Sequence, residues 1–212
     1  MARRSVREPP PLAKPVDEVP AGSLAALRRE AAGCRRCPLW RHATQTVFGA
    51  GAGRAAVMLI GEQPGAHEDL EGRPFVGPAG RLLREALAEA GLDAAGLYMT
   101  NTVKHFKYEQ RGKARPHKRA NASEQAACRP WLAAELLQVR PRAVVALGAM
   151  AAQTLFGNTF RITRSRGTWL PLGEETRALA TWHPSAILRM PSPQRERARA
   201  ELVADLARVA QA

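Results

Sequence analysis

The fold is decided by residues 57–80, which read VMLIGEQPGAHEDLEGRPFVGPAG. Residues 57–60 are a short apolar run that ends at a glycine, a pattern typical of a buried strand. The turn GEQPG at 61–65 follows, and its glycines let the backbone approach a ligand closely while its proline stiffens it. A second glycine-flanked turn, PFVG at 74–77, precedes a predicted helix over 79–90. The stretch therefore predicts a strand, a ligand-facing loop and a helix.

Strands and helices alternate along the rest of the chain. The further predicted strands are 97–100, 143–147 and 178–182, with a candidate edge strand at 166–172. The further predicted helices run to residue 32 from Ser23 as N-cap, and over 148–156 and 193–210. Such alternation indicates a mostly parallel sheet that is covered on both faces. We therefore predict an α/β fold, a three-layer α/β/α sandwich around a mostly parallel four-stranded central sheet.

Three polar residues fall just beyond the ends of predicted strands: Glu62, Asn101 and His183. Ligands of open α/β sheets bind at the carboxyl ends of the strands, where the loops open into a crevice. The amide of Asn101 offers a nucleobase a donor and an acceptor together, although an ordinary strand-end turn also suits asparagine. His183 equally suits the first turn of a following helix. Their convergence at one edge predicts a polar crevice there.

The charge balance favours a polyanionic partner. The 212 residues include 32 Lys and Arg against 19 Asp and Glu, a formal net charge of +13. Neutralisation of phosphates by such residues supplies most nonspecific DNA affinity. A ribosome-associated protein, or a merely arginine-rich composition, would show the same charge. The longest apolar run, residues 143–156, is too short to span a bilayer.

The composition predicts one domain with a tail. With 45% hydrophobic residues, the chain can bury one core, which we expect to span residues 21–212. Residues 1–20 are basic and rich in proline, so a disordered tail is expected there. The glycine-rich residues 49–53 precede the first strand instead of following it, and are interpreted as a flexible loop. Three cysteines without a signal peptide favour a reducing, cytoplasmic location.

Cys34 and Cys37 form a CxxC motif, whose spacing allows two thiolates to bind one metal centre. Thioredoxin-like redox turns share this spacing. Here the motif follows a predicted helix and precedes Pro38-Leu39-Trp40, whereas a redox motif opens a helix after a strand. The context favours a metal site.

The motifs GEQPG and PFVG, then Asn101 and HPS at 183–185, stand in the order of the motifs of the uracil-DNA glycosylase superfamily, which the chain resembles. It is most similar to the family 4 and UdgX-type branches. The resemblance implies excision of uracil from DNA, a base-excision step of DNA repair, with single-stranded DNA preferred. It further implies that Phe75 stacks on the flipped uracil and Asn101 reads it. By the same resemblance His183 and the backbone of Gly61 and Gln63 stabilise the departing base.

Family 4 enzymes hold an iron–sulfur cluster with four cysteines, and the resemblance extends to that ligand order. Cys34 and Cys37 match the first pair, and Cys128 matches the fourth ligand. His105 stands where the third cysteine is expected, and an imidazole can ligate a cluster. The resemblance therefore implies a structural 4Fe–4S cluster. The residue types alone suit a Cys₃His zinc site equally well.

Residues 107–127 form a strongly basic insert that is longer than the connection in ordinary family 4 members. The simple interpretation is a solvated loop that contacts DNA phosphates. Within it, KARPH at 113–117 resembles the KRRIH loop that marks UdgX-type proteins. Ala114 and Pro116 depart from that pattern, and Ala66 departs from the acidic residue common after GEQPG.

The UdgX-type resemblance implies that His117 captures the sugar cation left by base excision and becomes covalently linked to the abasic site. It implies that Arg115 anchors the loop and that Glu62 hydrogen-bonds His117 and favours its reactive form. Each protein molecule would then complete only one turnover. We expect the protein to be a monomer. Two alternatives are an ordinary turnover family 4 enzyme and a noncatalytic, metal-stapled nucleic-acid-binding module.

Overall fold

The computed structural model describes residues 12–16, 18–112 and 114–211, which form a six-stranded sheet between layers of helices. The strands are β1 (Ala50–Gly51), β2 (Val57–Gly61), β3 (Tyr98–Asn101), β4 (Ala143–Leu147), β5 (Leu170–Pro171) and β6 (Arg177–Thr181). Their order across the sheet is β1-β3-β2-β4-β6-β5. The four central strands are parallel, whereas β1 and β5 pair antiparallel at the two edges. The parallel centre is confirmed, and the short edge strands raise the predicted four strands to six.

The helices cover both faces of this sheet. They are α1 (Leu24–Ala32), α2 (Ala66–Glu71), α3 (Pro78–Glu89), α4 (Ala122–Val139), α5 (Ala149–Phe156), α6 (Ile162–Ser165), α7 (Pro184–Arg189) and α8 (Gln194–Ala210). Successive side chains of a strand point to opposite faces, so Met58 and Ile60 enter the core beneath α4 and α5. Leu59 enters the core beneath α3, α7 and α8. The predicted three-layer sandwich is confirmed.

Caps fix the ends of two helices that matter for the site. Ser23 caps α1, as predicted, by accepting a hydrogen bond from the backbone N–H of Ala26 at 3.3 Å. Asn121 and Glu124 form a capping box at the start of α4. The sequence prediction did not include α4, which carries Cys128.

Two predicted segments are more ordered than expected. Of the predicted tail, residues 1–11 and 17 lie outside the described residues. Leu12, however, is buried in the core beneath α5, and the N–H of Ala13 donates to the carbonyl of Thr154 at 3.1 Å. The predicted loop at residues 49–53 contains β1, whose Ala50 pairs with Met99. The described residues of both segments therefore contact the rest of the fold.

The fold brings the three strand-end residues to one edge of the sheet. Glu62 follows β2, Asn101 ends β3 and His183 lies just beyond β6. These strands are parallel, so their carboxyl ends open into the same crevice. Within the described part of the chain, every helix is too short or too polar to cross a membrane.

Candidate active site

The floor of the candidate site is the backbone of Gly61, over which two side chains meet. Gly61 pairs with Asn101 in the parallel register of β2 and β3. A β-carbon at Gly61 would lie 2.7 Å from Cζ of Phe75 and would overlap Oδ1 of Asn101. Both side chains are buried, at 5% and 3% exposure. The structure thus brings together the residue predicted to stack on a base and the residue predicted to read it.

The Phe75 ring is fixed by an uncommon backbone conformation. Its φ of 56° lies in the left-handed region, which costs a residue with a side chain about 1–2 kcal/mol. Nη1 of Arg84 donates to the carbonyl oxygen of Phe75 at 2.8 Å and holds the turn. Gly80 passes so close to this carbonyl that any β-carbon there would overlap it. Arg84 and Gly80 position the ring, and the sequence analysis identified neither.

His183 presents a neutral imidazole to the crevice. The backbone N–H of Ser185 donates to its Nδ1 at 3.1 Å, so the ring proton is on Nε2. Burial, together with the positive charges of Arg189 and of protonated His117, lowers the pKa of His183 to about 4. Its ring centroid lies 6.3 Å from that of Phe75. At neutral pH, His183 is therefore a fixed hydrogen-bond donor beside the stacking residue.

Glu62 is a half-buried carboxylate at the mouth of the loop. Burial raises its pKa, and the charges of Arg119 and Arg189 partly oppose this rise. Its backbone carbonyl accepts hydrogen bonds from Oγ1 of Thr102 at 2.6 Å and from the N–H of Val103 at 3.1 Å. These bonds tie the loop to the segment after β3. A carboxyl group with a raised pKa is suited to accept and return a proton.

The first part of the basic insert, residues 107–118, forms a β-hairpin, whereas its last residues belong to α4. Tyr108 and His117 form an antiparallel bridge, and a second bridge joins Arg111 and Ala114. The N–H of Glu109 also donates to the carbonyl of Pro116 at 3.0 Å. Lys113 lies outside the described residues. The departures at Ala114 and Pro116 are therefore accommodated in paired backbone.

The side chain of Gln63 joins this hairpin to the loop after β2. Its Oε1 accepts from the N–H of Ala120 at 2.8 Å. Its Nε2 donates to the carbonyl oxygens of Lys118 at 3.0 Å and Lys107 at 3.4 Å. Lys107 and Lys118 belong to opposite strands of the hairpin. The side-chain amide of Gln63 is thus fully engaged by the hairpin.

Arg115 fastens the hairpin to α2. Its Nη1 lies 3.0 Å from Oδ2 of Asp69, a fully buried carboxylate. Its guanidinium stacks 5.3 Å from the ring centroid of Tyr108 and 5.6 Å from that of Phe106. Asp69 also accepts from the N–H and Oγ1 of Thr44, at 2.8 and 2.7 Å. These contacts make Arg115 an anchor of the hairpin.

His117 lies on the second strand of the hairpin and is exposed to solvent. Partial desolvation of its ring and the nearby charge of Arg189 lower its pKa, so the neutral form dominates at pH 7. The centroid of its ring lies 6.3 Å from that of Phe106. In the described part of the chain, His117 has no hydrogen bond to the Glu62 carboxylate, contrary to the expected contact.

The pocket and its motifs agree with comparisons to known proteins. The family model described as the uracil DNA glycosylase superfamily matches residues 48–207. The chain belongs to this superfamily. A type-4 uracil-DNA glycosylase of Archaeoglobus fulgidus is 36% identical over 184 residues, covering 82% of this chain and 87% of the relative. A type-4 enzyme of Thermotoga maritima is 37% identical over 159 residues, with coverages of 74% and 78%. A type-5 enzyme of Pyrobaculum aerophilum is 30% identical over 184 residues, with coverages of 77% and 76%.

The four predicted metal ligands of this superfamily member are all buried. A hydrogen bond between the thiols of Cys37 and Cys128 lowers the pKa of Cys37 and raises that of Cys128. The N–H of Lys104 donates to Sγ of Cys128 at 3.4 Å. Nε2 of His105 lies 3.0 Å from Oγ1 of Thr46, whereas its buried Nδ1 has no hydrogen-bond partner.

Cys34 completes the set from the end of α1, where its Sγ accepts from Nε1 of Trp131 at 3.2 Å. Among the described residues, no three His, Cys, Asp or Glu side chains are arranged to hold a metal ion. The donor types nevertheless fit an iron–sulfur cluster, since the set contains three buried thiols and an orphaned imidazole nitrogen.

Proposed function

We propose that this chain is a uracil-DNA glycosylase that excises uracil from DNA and then becomes covalently linked through His117 to the abasic sugar. The supporting observation is that Gln63, in the loop after β2, hydrogen-bonds to both strands of the hairpin that carries His117, which joins the hairpin to the base pocket. Gln63 hydrogen-bonds to the hairpin and Arg115 of the hairpin pairs with Asp69, so the hairpin that carries His117 is held in a fixed position. A reactive group held beside a reacting centre replaces diffusional capture by water.

The pocket is suited to a flipped uracil. The base would stack on Phe75, and its edge would be read by the donor and acceptor of the Asn101 amide. Gly61 leaves the backbone open beneath both side chains. The ring of Phe75 is held in position because the backbone of this residue is hydrogen-bonded to Arg84. A 5-methyl group would enlarge the base in this rigid setting, so we expect thymine to be rejected.

Cleavage breaks the bond between C1′ of deoxyribose and N1 of uracil. Both electrons of the bond leave with the base as a uracil anion, and the sugar becomes an oxocarbenium cation. Nε2–H of His183 would donate a hydrogen bond to a carbonyl oxygen of that anion, with the backbone near Gln63 as further donor. Because the pKa of His183 is about 4, the donor is neutral before reaction and loses no proton at pH 7.

Capture forms a new bond from a ring nitrogen of His117 to C1′. The nitrogen lone pair supplies both electrons, so the imidazole becomes positively charged. Its lowered pKa keeps the lone pair free at neutral pH. Glu62 would stabilise this charge as the bond forms by accepting the proton of the other ring nitrogen, a step suited to a carboxyl group whose pKa is raised by burial.

We further propose that Cys34, Cys37, His105 and Cys128 hold a 4Fe–4S cluster. Such a cluster would tie the end of α1 to the segment after Asn101 and to α4, and its role would be structural. The lowered pKa of Cys37 favours a thiolate ligand, and the unpartnered Nδ1 of His105 is free to bind iron. The net charge of +13 supports binding to DNA phosphates. Preference for single strands and action as a monomer are part of the same proposal.

Incubation with labelled, uracil-containing single-stranded DNA tests the function. The proposal expects free uracil and a protein–DNA complex that survives denaturation, in an amount that does not exceed the protein added. Free uracil with a free abasic strand over many turnovers would indicate the ordinary activity carried in the names of the type-4 relatives. DNA binding without uracil release would indicate a noncatalytic module. The same DNA with thymine in place of uracil is the control.

A further inference from the structure

The segment after the CxxC motif carries an arginine–tryptophan patch, defined here as Arg35, Trp40 and Arg41. Trp40 and Arg41 lie in the 3₁₀ turn Pro38–Arg41. The guanidinium of Arg35 stacks 4.8 Å from the centroid of the Trp40 ring, and that of Arg41 lies 5.7 Å from it. Both arginines are exposed and the indole is half-buried. The Trp40 indole ring therefore positions two cationic side chains at the protein surface.

Internal structure does not account for this patch. Trp40 belongs to none of the apolar clusters formed by the described residues. Within residues 12–16, 18–112 and 114–211, the side chains of Arg35 and Arg41 make no hydrogen bond and no ion pair. Residues 33–46 contain no acidic side chain. By contrast, the structural Arg115 is bound to Asp69.

Stacking leaves the binding capacity of the arginines intact. A guanidinium that lies on an aromatic ring uses its flat face, while its N–H donors point outward in its own plane. Those donors match the oxygens of a phosphate group in a bidentate arrangement. The ring restricts the motion of both side chains, which lowers the entropy lost when a phosphate binds. Two preorganised cations without carboxylate partners are suited to a polyphosphate strand.

The patch is connected to the hairpin that carries His117. The hydroxyl of Tyr108 donates to the carbonyl oxygen of His42 at 3.2 Å, directly after Arg41. Tyr108 is the bridge partner of His117 across the hairpin. Thr44, two residues further on, is bound to the same Asp69 that holds Arg115. A strand that leaves the pocket past His117 therefore meets Tyr108 and then the patch.

We propose that the arginine–tryptophan patch binds backbone phosphates of the single-stranded DNA that flanks the flipped nucleotide. This inference rests on the proposed function, because it assumes that the bound strand extends from a nucleotide held in the uracil pocket. Arg35 and Arg41 supply the phosphate contacts, and Trp40 is a positioning residue that holds them. The patch extends the DNA site beyond the pocket and the hairpin.

The expected magnitude follows from counterion release. Each phosphate contact on a single strand contributes about 0.7 to the slope of log K against log salt, or about fivefold in affinity near 0.1 M salt. Losing both contacts in Arg35→Gln/Arg41→Gln should weaken binding by about 25-fold and reduce the slope by about 1.4. Trp40→Ala keeps both charges and should weaken binding by less than the double variant.

The test measures binding of uracil-free oligonucleotides of about 20 and about 4 nucleotides to full-length protein across a salt series, together with uracil release at saturating DNA. Arg142→Gln/Arg177→Gln is the matched control. It removes the same charge and breaks the stack of Arg177 on Trp169, at the opposite ends of β4 and β6 from the pocket. Melting temperatures establish that each variant is folded.

We expect that, of the two double variants, only the patch variant binds the long strand more weakly and with a smaller slope of log K against log salt. Its binding of the short strand and its uracil release at saturating DNA should be preserved. Equal losses in the patch and control variants, or equal losses for both strand lengths, would overturn it. Wild-type affinity in the patch variant would overturn it as well. The proposed function is judged separately, because it fails if wild-type protein releases no uracil or forms no denaturant-resistant complex with uracil-containing DNA, whatever the patch variant binds.

Discussion

Replacement of Glu135 by Ala tests the buried ion pair beneath the pocket. Oε2 of Glu135 lies 2.5 Å from Nζ of Lys104, and both side chains are fully buried. Nζ of Lys104 also donates to the backbone carbonyl of Asn101 at 2.7 Å. Oε1 of Glu135 accepts from the hydroxyls of Tyr98 and Thr100, each at 3.0 Å. The variant removes the one carboxylate that satisfies this set of donors.

The loss of stability should be large. Removing one partner of a buried ion pair leaves an uncompensated charge and costs about 3–5 kcal/mol. For a chain of this size, each kcal/mol lowers the melting temperature by about 2–4 °C, so the expected shift is about 6–20 °C. Burial and the Glu135 carboxylate raise the pKa of Tyr98, so its phenol stays protonated and is left without its acceptor. Uracil release should also fall, since the Lys104 ammonium is no longer held against Asn101.

The assay compares thermal unfolding, and single-turnover uracil release at a temperature where the variant is folded. Glu89→Ala is the matched control, because Glu89 pairs with Arg199 at 2.7 Å on the surface, where such a pair is worth about 1 kcal/mol or less. Replacing both partners, as Lys104→Met/Glu135→Leu, should recover much of the stability. If Glu135→Ala is no less stable than Glu89→Ala, the buried charge is not held as the structure indicates.

Further predictions concern the base, the proton acceptor, pH and the cluster. Asn101→Ala should lower uracil release about 10²-fold or more while leaving salt-sensitive DNA binding intact, and unchanged release would remove Asn101 from the site. Glu62→Gln should slow adduct formation, measured on denaturing gels, because an amide accepts no proton; a wild-type rate would contradict its role. The pKa of His183 is about 4 in the folded protein, against an ordinary 6.5, so the unfolded state binds the proton first. Thermal stability should therefore fall as pH drops from 6.5 towards 4, and His183→Gln should lack this component; parallel pH profiles would refute it. Purified protein should be brown and contain iron and sulfide, and Cys34→Ala or Cys128→Ala should lose colour and stability; stoichiometric zinc without iron in anaerobically purified protein would exclude the cluster.

The sequence predicted the sheet and its functional edge because both depend on local patterns. Apolar runs that end at glycine or a polar residue placed Glu62, Asn101 and His183 at strand ends, and the parallel pairing brings those ends together. The short edge strand β1 escaped prediction because Ala50 and Gly51 have no strand pattern of their own. Their pairing with β3 depends on tertiary context.

The supports of the site could not be read from the sequence. The bond from Arg115 to Asp69 and those from Gln63 to Lys107 and Lys118 join residues far apart in the chain. No periodicity signals such contacts. The hairpin was interpreted as a loop for the same reason, since its register depends on cross-strand pairing. The left-handed Phe75 is a further case, because its conformation is stabilised by Arg84 from the next helix.

The central claim is that His117 captures the sugar after the base has left. The most direct measurement compares wild-type protein and His117→Ser on labelled, uracil-containing single-stranded DNA, with free uracil and denaturant-resistant complex quantified in the same samples. We expect His117→Ser to release uracil but to form no complex, because water regains access to the oxocarbenium cation. A complex that persists in His117→Ser would assign the bond to another residue. Loss of uracil release in that variant would show that His117 acts before capture, which contradicts the mechanism.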